Sequence, residues 1–164
     1  MGTVRNKSRL DRIDARLLLA LREDPRAPVL TLADRVGLAR NTVQARLARM
    51  EAEGALTSFD RRISSAALGY PLTAFIMAQV TQRQLAQVAA ALAAVPEVVE
   101  VVGLSGPTDL LVRVVAADAD DLYRTAGQLL AIPGVERTNT ALAMRDLVDY
   151  RLTPLLRRLA GLDT

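Results

Sequence analysis

The spacing of hydrophobic positions changes character about sixty residues into the chain. Before that point it is helical. Ile13, Leu17, Leu18 and Leu21 fall on one helix face that Asp11 can cap and Pro25 ends. Asp14 follows the cap by three residues, where an acid favours the N-terminus. Thr31 and Asp34 repeat that pattern and predict a very short second helix to about Val36, closed by Gly37. A third helix is predicted from about Arg40 to Glu53, ended by Gly54, with Val43, Leu47 and Met50 turned inward. A short helix, a glycine turn and a longer helix have the proportions of a helix-turn-helix.

Beyond residue 70 the pattern is that of strands. Residues 72–81, 98–104, 110–116 and 135–144 alternate or run in β-branched stretches, with helical stretches at 83–94 and 118–131 between them. Leu92-Ala93-Ala94-Val95-Pro96-Glu97-Val98 recurs as Leu129-Leu130-Ala131-Ile132-Pro133-Gly134-Val135. Each copy ends a helix and turns into a strand. Two βαβ halves predict a βαββαβ, ferredoxin-like domain, with residues 105–109 as the hairpin between its middle strands. The expected fold class is therefore α+β: an N-terminal winged or plain helix-turn-helix domain, then a ferredoxin-like αβ-sandwich. An RNA-binding version would stack bases on aromatics of the central strands, and residues 98–104 and 110–116 hold none. Two helices cover one sheet face only, so the other face predicts a second copy of the chain as partner. After residue 150, Leu152, Leu155, Leu156 and Leu159 predict a short amphipathic helix, placed at a dimer interface.

Composition narrows the chemistry. Of the 164 residues 51% are hydrophobic and the net charge is only +3, which excludes disorder and allows one domain or two small ones. The longest apolar run, residues 88–95, falls far short of the ~20 that span a bilayer, and no signal-peptide pattern opens the chain. A soluble cytoplasmic protein without a membrane partner is expected. With no cysteine and no histidine, disulfides, zinc fingers and Cys- or His-dependent catalysis are excluded. Asp118, Asp120 and Asp121 read as a helix cap, so no metal or cofactor is expected and the chain is not read as an enzyme.

Charge is divided unevenly. Residues 1–62 carry 13 basic and 8 acidic side chains, whereas the remainder carries 8 and 10. A basic first part points to nucleic acid as partner. On the third helix Asn41 and Gln44 sit among Ala45 and Ala48 on the outward face, where they can form bidentate bonds to adenine. Arg40, Thr42, Arg46 and Arg49 flank them, at positions suited to phosphates, and no acid interrupts this face before Glu51. These six residues are the expected double-stranded-DNA contacts. In the second half, the Gly106 and Thr108 N–H groups could hold a carboxylate and Asp109 an ammonium. Thr138 and Thr140, two apart on one strand, point hydroxyls the same way. Those five are the expected effector site, although a tight hairpin needs Gly and Asp in any case.

Taken in order, these pieces resemble the Lrp/AsnC, or feast/famine, family of bacterial and archaeal regulators. The likeness runs through Leu10-Asp11-Arg12-Ile13-Asp14, Leu32-Ala33-Asp34-Arg35-Val36-Gly37-Leu38, Arg46-Leu47-Ala48-Arg49-Met50-Glu51-Ala52-Glu53-Gly54-Ala55-Leu56 and Leu68-Gly69-Tyr70. It continues through Val95-Pro96-Glu97-Val98, Gly106-Pro107-Thr108-Asp109 and Pro133-Gly134-Val135 with Thr138-Asn139-Thr140. The resemblance implies a helix-turn-helix domain at 1–56, a linker strand at 57–70, and an effector-binding and oligomerisation domain at 71–164. It also implies transcriptional regulation modulated by an amino acid or related metabolite, through dimers that assemble further into octamers. Two positions depart from the family pattern: Ala39 stands where a capping Ser is usual, and Gly106-Pro107-Thr108-Asp109 replaces a Gly-Asp-Tyr-Asp loop. Sirohaem decarboxylases resemble the same architecture, yet they rely on histidines that this chain lacks. A metabolite-binding module with a vestigial helix-turn-helix is the other alternative.

Overall fold

The computed structural model describes residues 10–56 and 63–162, which divide into two compact units. The first is helical: α1 (Arg12–Glu23), α2 (Val29–Val36), α3 (Arg40–Ala52) and, from the far end of the chain, α6 (Thr153–Ala160). Leu17, Leu32, Val43 and Met50 form its buried centre, with Ala20 and Ala33, and Leu47 packs against it half-buried. No strand accompanies these helices among residues 10–56, so the helix-turn-helix has no wing there.

Local chemistry sets the helix ends. Asp11 caps α1, its Oδ1 accepting the Asp14 N–H at 2.8 Å while Asp14 Oδ2 accepts the Asp11 N–H at 3.0 Å, a reciprocal capping box. The second helix begins earlier than Thr31 predicts. Pro28 is its N-cap, the Leu32 N–H closes on the Pro28 carbonyl at 3.1 Å, and Thr31 lies inside the first turn. A proline preset near φ −57° needs no side-chain cap to start the turn. Gly37 closes α2 in the left-handed region, φ 69°, as expected. Ala39 caps α3 with no side-chain hydrogen bond, and neither Asn41 nor Thr42 substitutes.

The tail also differs from expectation. The leucine pattern does form a helix, but α6 packs on α1 in the helical unit instead of joining the sheet. Its Ala160 is buried and Leu156 half-buried, a small residue letting the two backbones approach. Of the linker strand expected at 57–70, residues 57–62 lie outside the described residues. The rest is not strand: residues 66–68 form one 3-10 turn that ends at Gly69, φ 91°.

The second unit contains β1 (Leu72–Val80), α4 (Leu85–Ala93), β2 (Val98–Gly103), β3 (Leu110–Ala116), α5 (Ala119–Leu130) and β4 (Val135–Leu142). The sheet order is β2-β3-β1-β4 and every pair is antiparallel, the predicted ferredoxin-like arrangement. Ala74, Ile76, Ala78 and Val80 alternate inward from β1 and meet Val112 and Val114 of β3, Val88 and Leu92 of α4, and Leu129 of α5. The sequence repeat is structural: the Val98 N–H reaches the Val95 carbonyl at 3.0 Å, and the Val135 N–H reaches Ile132 at 3.0 Å. Asp118 caps α5 through the Asp121 N–H, as its acids predict. On the opposite sheet face Phe75, Met77 and Leu111 remain half-buried, and Val102 is exposed. Among the described residues no helix is long and apolar enough to cross a membrane.

Leu92 and Leu129 hold equivalent core positions in the two repeats. Replacing either with Ala is expected to destabilise the sheet unit by about 2–5 kcal/mol, read as a lower urea midpoint. Ala39→Ser restores a missing cap and is expected to raise stability by about 1 kcal/mol, measured the same way.

Candidate nucleic-acid interface

The outward side of α3 is made by residues whose partners lie elsewhere. Val43 and Met50 are anchored in the core, which turns Arg40, Asn41, Thr42, Gln44, Ala45 and Ala48 to solvent. The face is flat and polar, and its two alanines keep it shallow. A shallow cleft runs beside it, floored by Asp14 and edged by Asn41, Thr42 and Ala45.

Arg46 and Arg49 do something the sequence did not announce. Arg46 Nη1 donates to Asp11 Oδ2 at 2.7 Å and to Asp14 Oδ1 at 2.8 Å, while Arg49 Nη2 donates to Asp14 Oδ2 at 2.7 Å. Arg49 Nη1 also reaches Glu53 Oε2 at 3.2 Å. The Asp14 side chain is only 1% exposed, so its carboxylate is removed from water and met by three N–H donors. A buried carboxylate costs several kcal/mol unless it is paired and hydrogen-bonded in this way. Both arginines, expected on phosphates, are thus engaged in clamping α3 to the first turn of α1. The recognisable signal was the matched spacing: acids three apart at 11 and 14, arginines three apart at 46 and 49.

Burial pushes the Asp14 carboxyl up, but the Asp11 N–H and the guanidinium groups of Arg46 and Arg49 outweigh it and hold it below the ordinary 3.8. Asp11 is also lowered, chiefly by the Asp14 N–H and further by Arg46. A carboxylate depressed in the folded state adds stability above its unfolded value and loses it as pH falls through the folded one.

The hairpin after β2 is built for tightness. The Leu104 N–H bonds the Asp109 carbonyl at 2.8 Å, and Gly106 adopts φ 133°, which a side chain rarely allows. The Asp109 carboxylate, expected to face an ammonium, turns to β1: Oδ2 accepts the Val80 N–H at 2.9 Å and Oδ1 accepts Gln82 Nε2. Pairing between β1 and β4 slips at Gln79/Val80, and Asp109 supplies the acceptor beside that irregularity. Thr138 and Thr140 stand opposite Ala78 and Ile76 on β4, facing the helix-covered side. With β1 between β3 and β4, the structure keeps the threonines two strand spacings, roughly 10 Å, from the strand that carries Asp109. Among the described residues no cluster of acids could hold a metal ion.

The two units correspond to two known domain families. Residues 10–51 match the AsnC-type helix-turn-helix domain, and residues 73–153 match the Lrp/AsnC ligand binding domain. The chain belongs to the Lrp/AsnC family of transcriptional regulators. Among similar Lrp/AsnC proteins, the HTH-type transcriptional regulator FL11 of Pyrococcus horikoshii is 32% identical over 136 residues, covering 83% of this chain and 90% of that protein. The regulator AldR of Mycolicibacterium smegmatis is 34% identical over 142 residues, covering 84% and 83%. The fold is that of E. coli AsnC, with a TM-score of 0.78 at 22% identity over 89% of this chain and 99% of that one. A Neisseria meningitidis transcriptional regulator solved with L-Met gives a TM-score of 0.75 at 24% identity, over 90% and 99%. By its domain matches and its sequence relatives alike, this Lrp/AsnC chain is a helix-turn-helix DNA-binding regulator.

Asp14→Ala leaves two arginines without their shared partner and is expected to cost about 3 kcal/mol. Urea midpoints followed as pH falls from about 5 to about 2 should drop steeply in the wild type and less in Asp14→Asn, which has no charge there to lose.

Proposed function

We propose that the chain acts in the cytoplasm as a dimer that binds operator DNA through α3 and adjusts that binding to an amino acid or related metabolite. The helical unit does the DNA binding and the sheet unit holds the effector. Asn41 and Gln44 read base edges in the major groove, Arg40 and Thr42 meet phosphates, and Arg46 and Arg49 hold α3 in the position this requires. The observation that carries the reading is the outward face of α3, free of acids from Arg40 as far as Glu51 and fixed from behind by the two arginines. Transcriptional regulation is also what the names of the relatives describe.

The dimer forms through the open sheet face, where Phe75, Met77 and Leu111 are incompletely covered. The effector sits at the hairpin, its carboxylate on the Gly106 and Thr108 N–H groups, neither of which donates to a backbone carbonyl. Asp109 shapes that hairpin from within. Thr138 and Thr140 make a separate hydroxyl pair on β4. The Neisseria regulator of this fold was solved with L-Met, which supports the amino-acid class.

Selection of duplexes from a random pool, followed by gel-shift titration at several salt concentrations, tests the DNA reading. Asn41→Ala or Gln44→Ala should cost about 1–3 kcal/mol on the selected duplex and leave the salt slope unchanged. Arg40→Ala should lower that slope by about 0.9. Equal affinity of all variants for selected and random duplexes would refute base reading by α3. A thermal-shift screen of the twenty amino acids should find at least one that stabilises the chain, and light scattering should give a dimer or a multiple of it.

A further inference from the structure

We propose that Arg12 couples α6 to α3, the recognition helix of the DNA binding inferred above, as a positioning residue for that binding, on which this reading rests. Its Nε donates to the Ala160 carbonyl at 2.7 Å, across 148 residues of sequence. That carbonyl belongs to the last turn of α6, where a helix presents unpaired C=O groups and the negative end of its dipole. The guanidinium lies over the helix end: a Cβ on Gly161 would come within 2.5 Å of Arg12 Nη2. At eight residues α6 is shorter than the roughly 12–15 that hold together alone in water, so it depends on this docking.

The same turn of α1 holds the recognition helix. Asp11 and Asp14 carry Arg46 and Arg49, while Arg12, about 160° round the helix from Asp14, projects towards α6. One turn thus joins the two contacts, and displacing α6 moves the backbone on which the α3 clamp is mounted. The chain enters α6 from the sheet unit through residues 143–152, so docking of α6 gives the sheet unit a second route to α3, covalent as far as α6 and non-covalent from there, besides the chain that follows α3.

The test uses the full chain as Arg12→Met, Arg12→Lys, Gly161→Ala, and Arg12→Met combined with Gly161→Ala. Affinity is measured on the duplex that the wild type selects, and amide exchange is measured across α3 and α6. Arg12→Met and Gly161→Ala should each weaken binding roughly tenfold without changing the salt slope, and should speed exchange in α3 as well as α6. Arg12→Lys, which keeps a donor, should recover most of the affinity. The double variant should be no worse than the weaker-binding single variant. A slope lower by about 0.9 in Arg12→Met would make Arg12 a direct phosphate contact and overturn the proposal. So would losses that multiply in the double variant, or faster exchange confined to α6. If the wild type selects no duplex at all, the DNA reading fails, while the exchange comparison still decides the coupling.

Discussion

The carboxylate of Asp14 is the constraint on which the rest of the helical unit depends. Taken out of water between α1 and α3, it must be met by donors, and the Asp11 N–H, Arg46 and Arg49 meet it. Hydrophobic packing of Val43 and Met50 sets which face of α3 is inward but tolerates small slides and rotations. Charge-assisted hydrogen bonds are directional and tolerate fewer. The ion pairs therefore add orientation to a contact that apolar burial has already made stable. Orientation is what a helix needs if Asn41 and Gln44 are to meet base edges within hydrogen-bond distance.

The sheet unit solves a different problem. A four-stranded sheet with both helices on one side buries Ile76, Val112 and Val114 completely and leaves its other face partly apolar. That asymmetry follows from βαββαβ connectivity, and it is the observation behind the dimer proposed above. At the hairpin, Gly106 at φ 133° and the Asp109 carboxylate bonded back to β1 make a tight loop with free N–H groups. A loop already held in one conformation loses little entropy when a ligand arrives.

Much of this was legible from periodicity. The Asp11–Asp14 capping box, the Gly37 turn, the order of the four strands and the repeat ending at Val98 and Val135 all depend on near neighbours in sequence, and the structure places them as read. What escaped depended on distant partners. Arg46 and Arg49 look like phosphate ligands on a lone helix, because a wheel shows their face but not the acids of another helix that it meets. Asp109 looks free in the sequence, since Val80 is 29 residues away. The leucines after residue 150 announce a helix, yet an apolar face does not name its partner, and α1 and the sheet both offer one. Thr31 failed for a local reason: Pro28 starts α2 three residues earlier, and proline initiation overrides a hydroxyl cap.

We propose a division of labour on α3: Arg40, Asn41 and Gln44 outward to DNA, and Arg46 and Arg49 backward to the acids of α1. Nitrogen-15 NMR of the arginine side chains, with and without the selected duplex, separates the two sets directly. The Nε–Hε resonance of Arg40 should shift on binding, while those of Arg46 and Arg49 keep their free-protein positions and remain protected from exchange with water. If Arg46 and Arg49 shift with DNA as Arg40 does, and their free-state resonances exchange as fast as those of exposed arginines, the clamp is not what orients α3 and the division of labour is refuted.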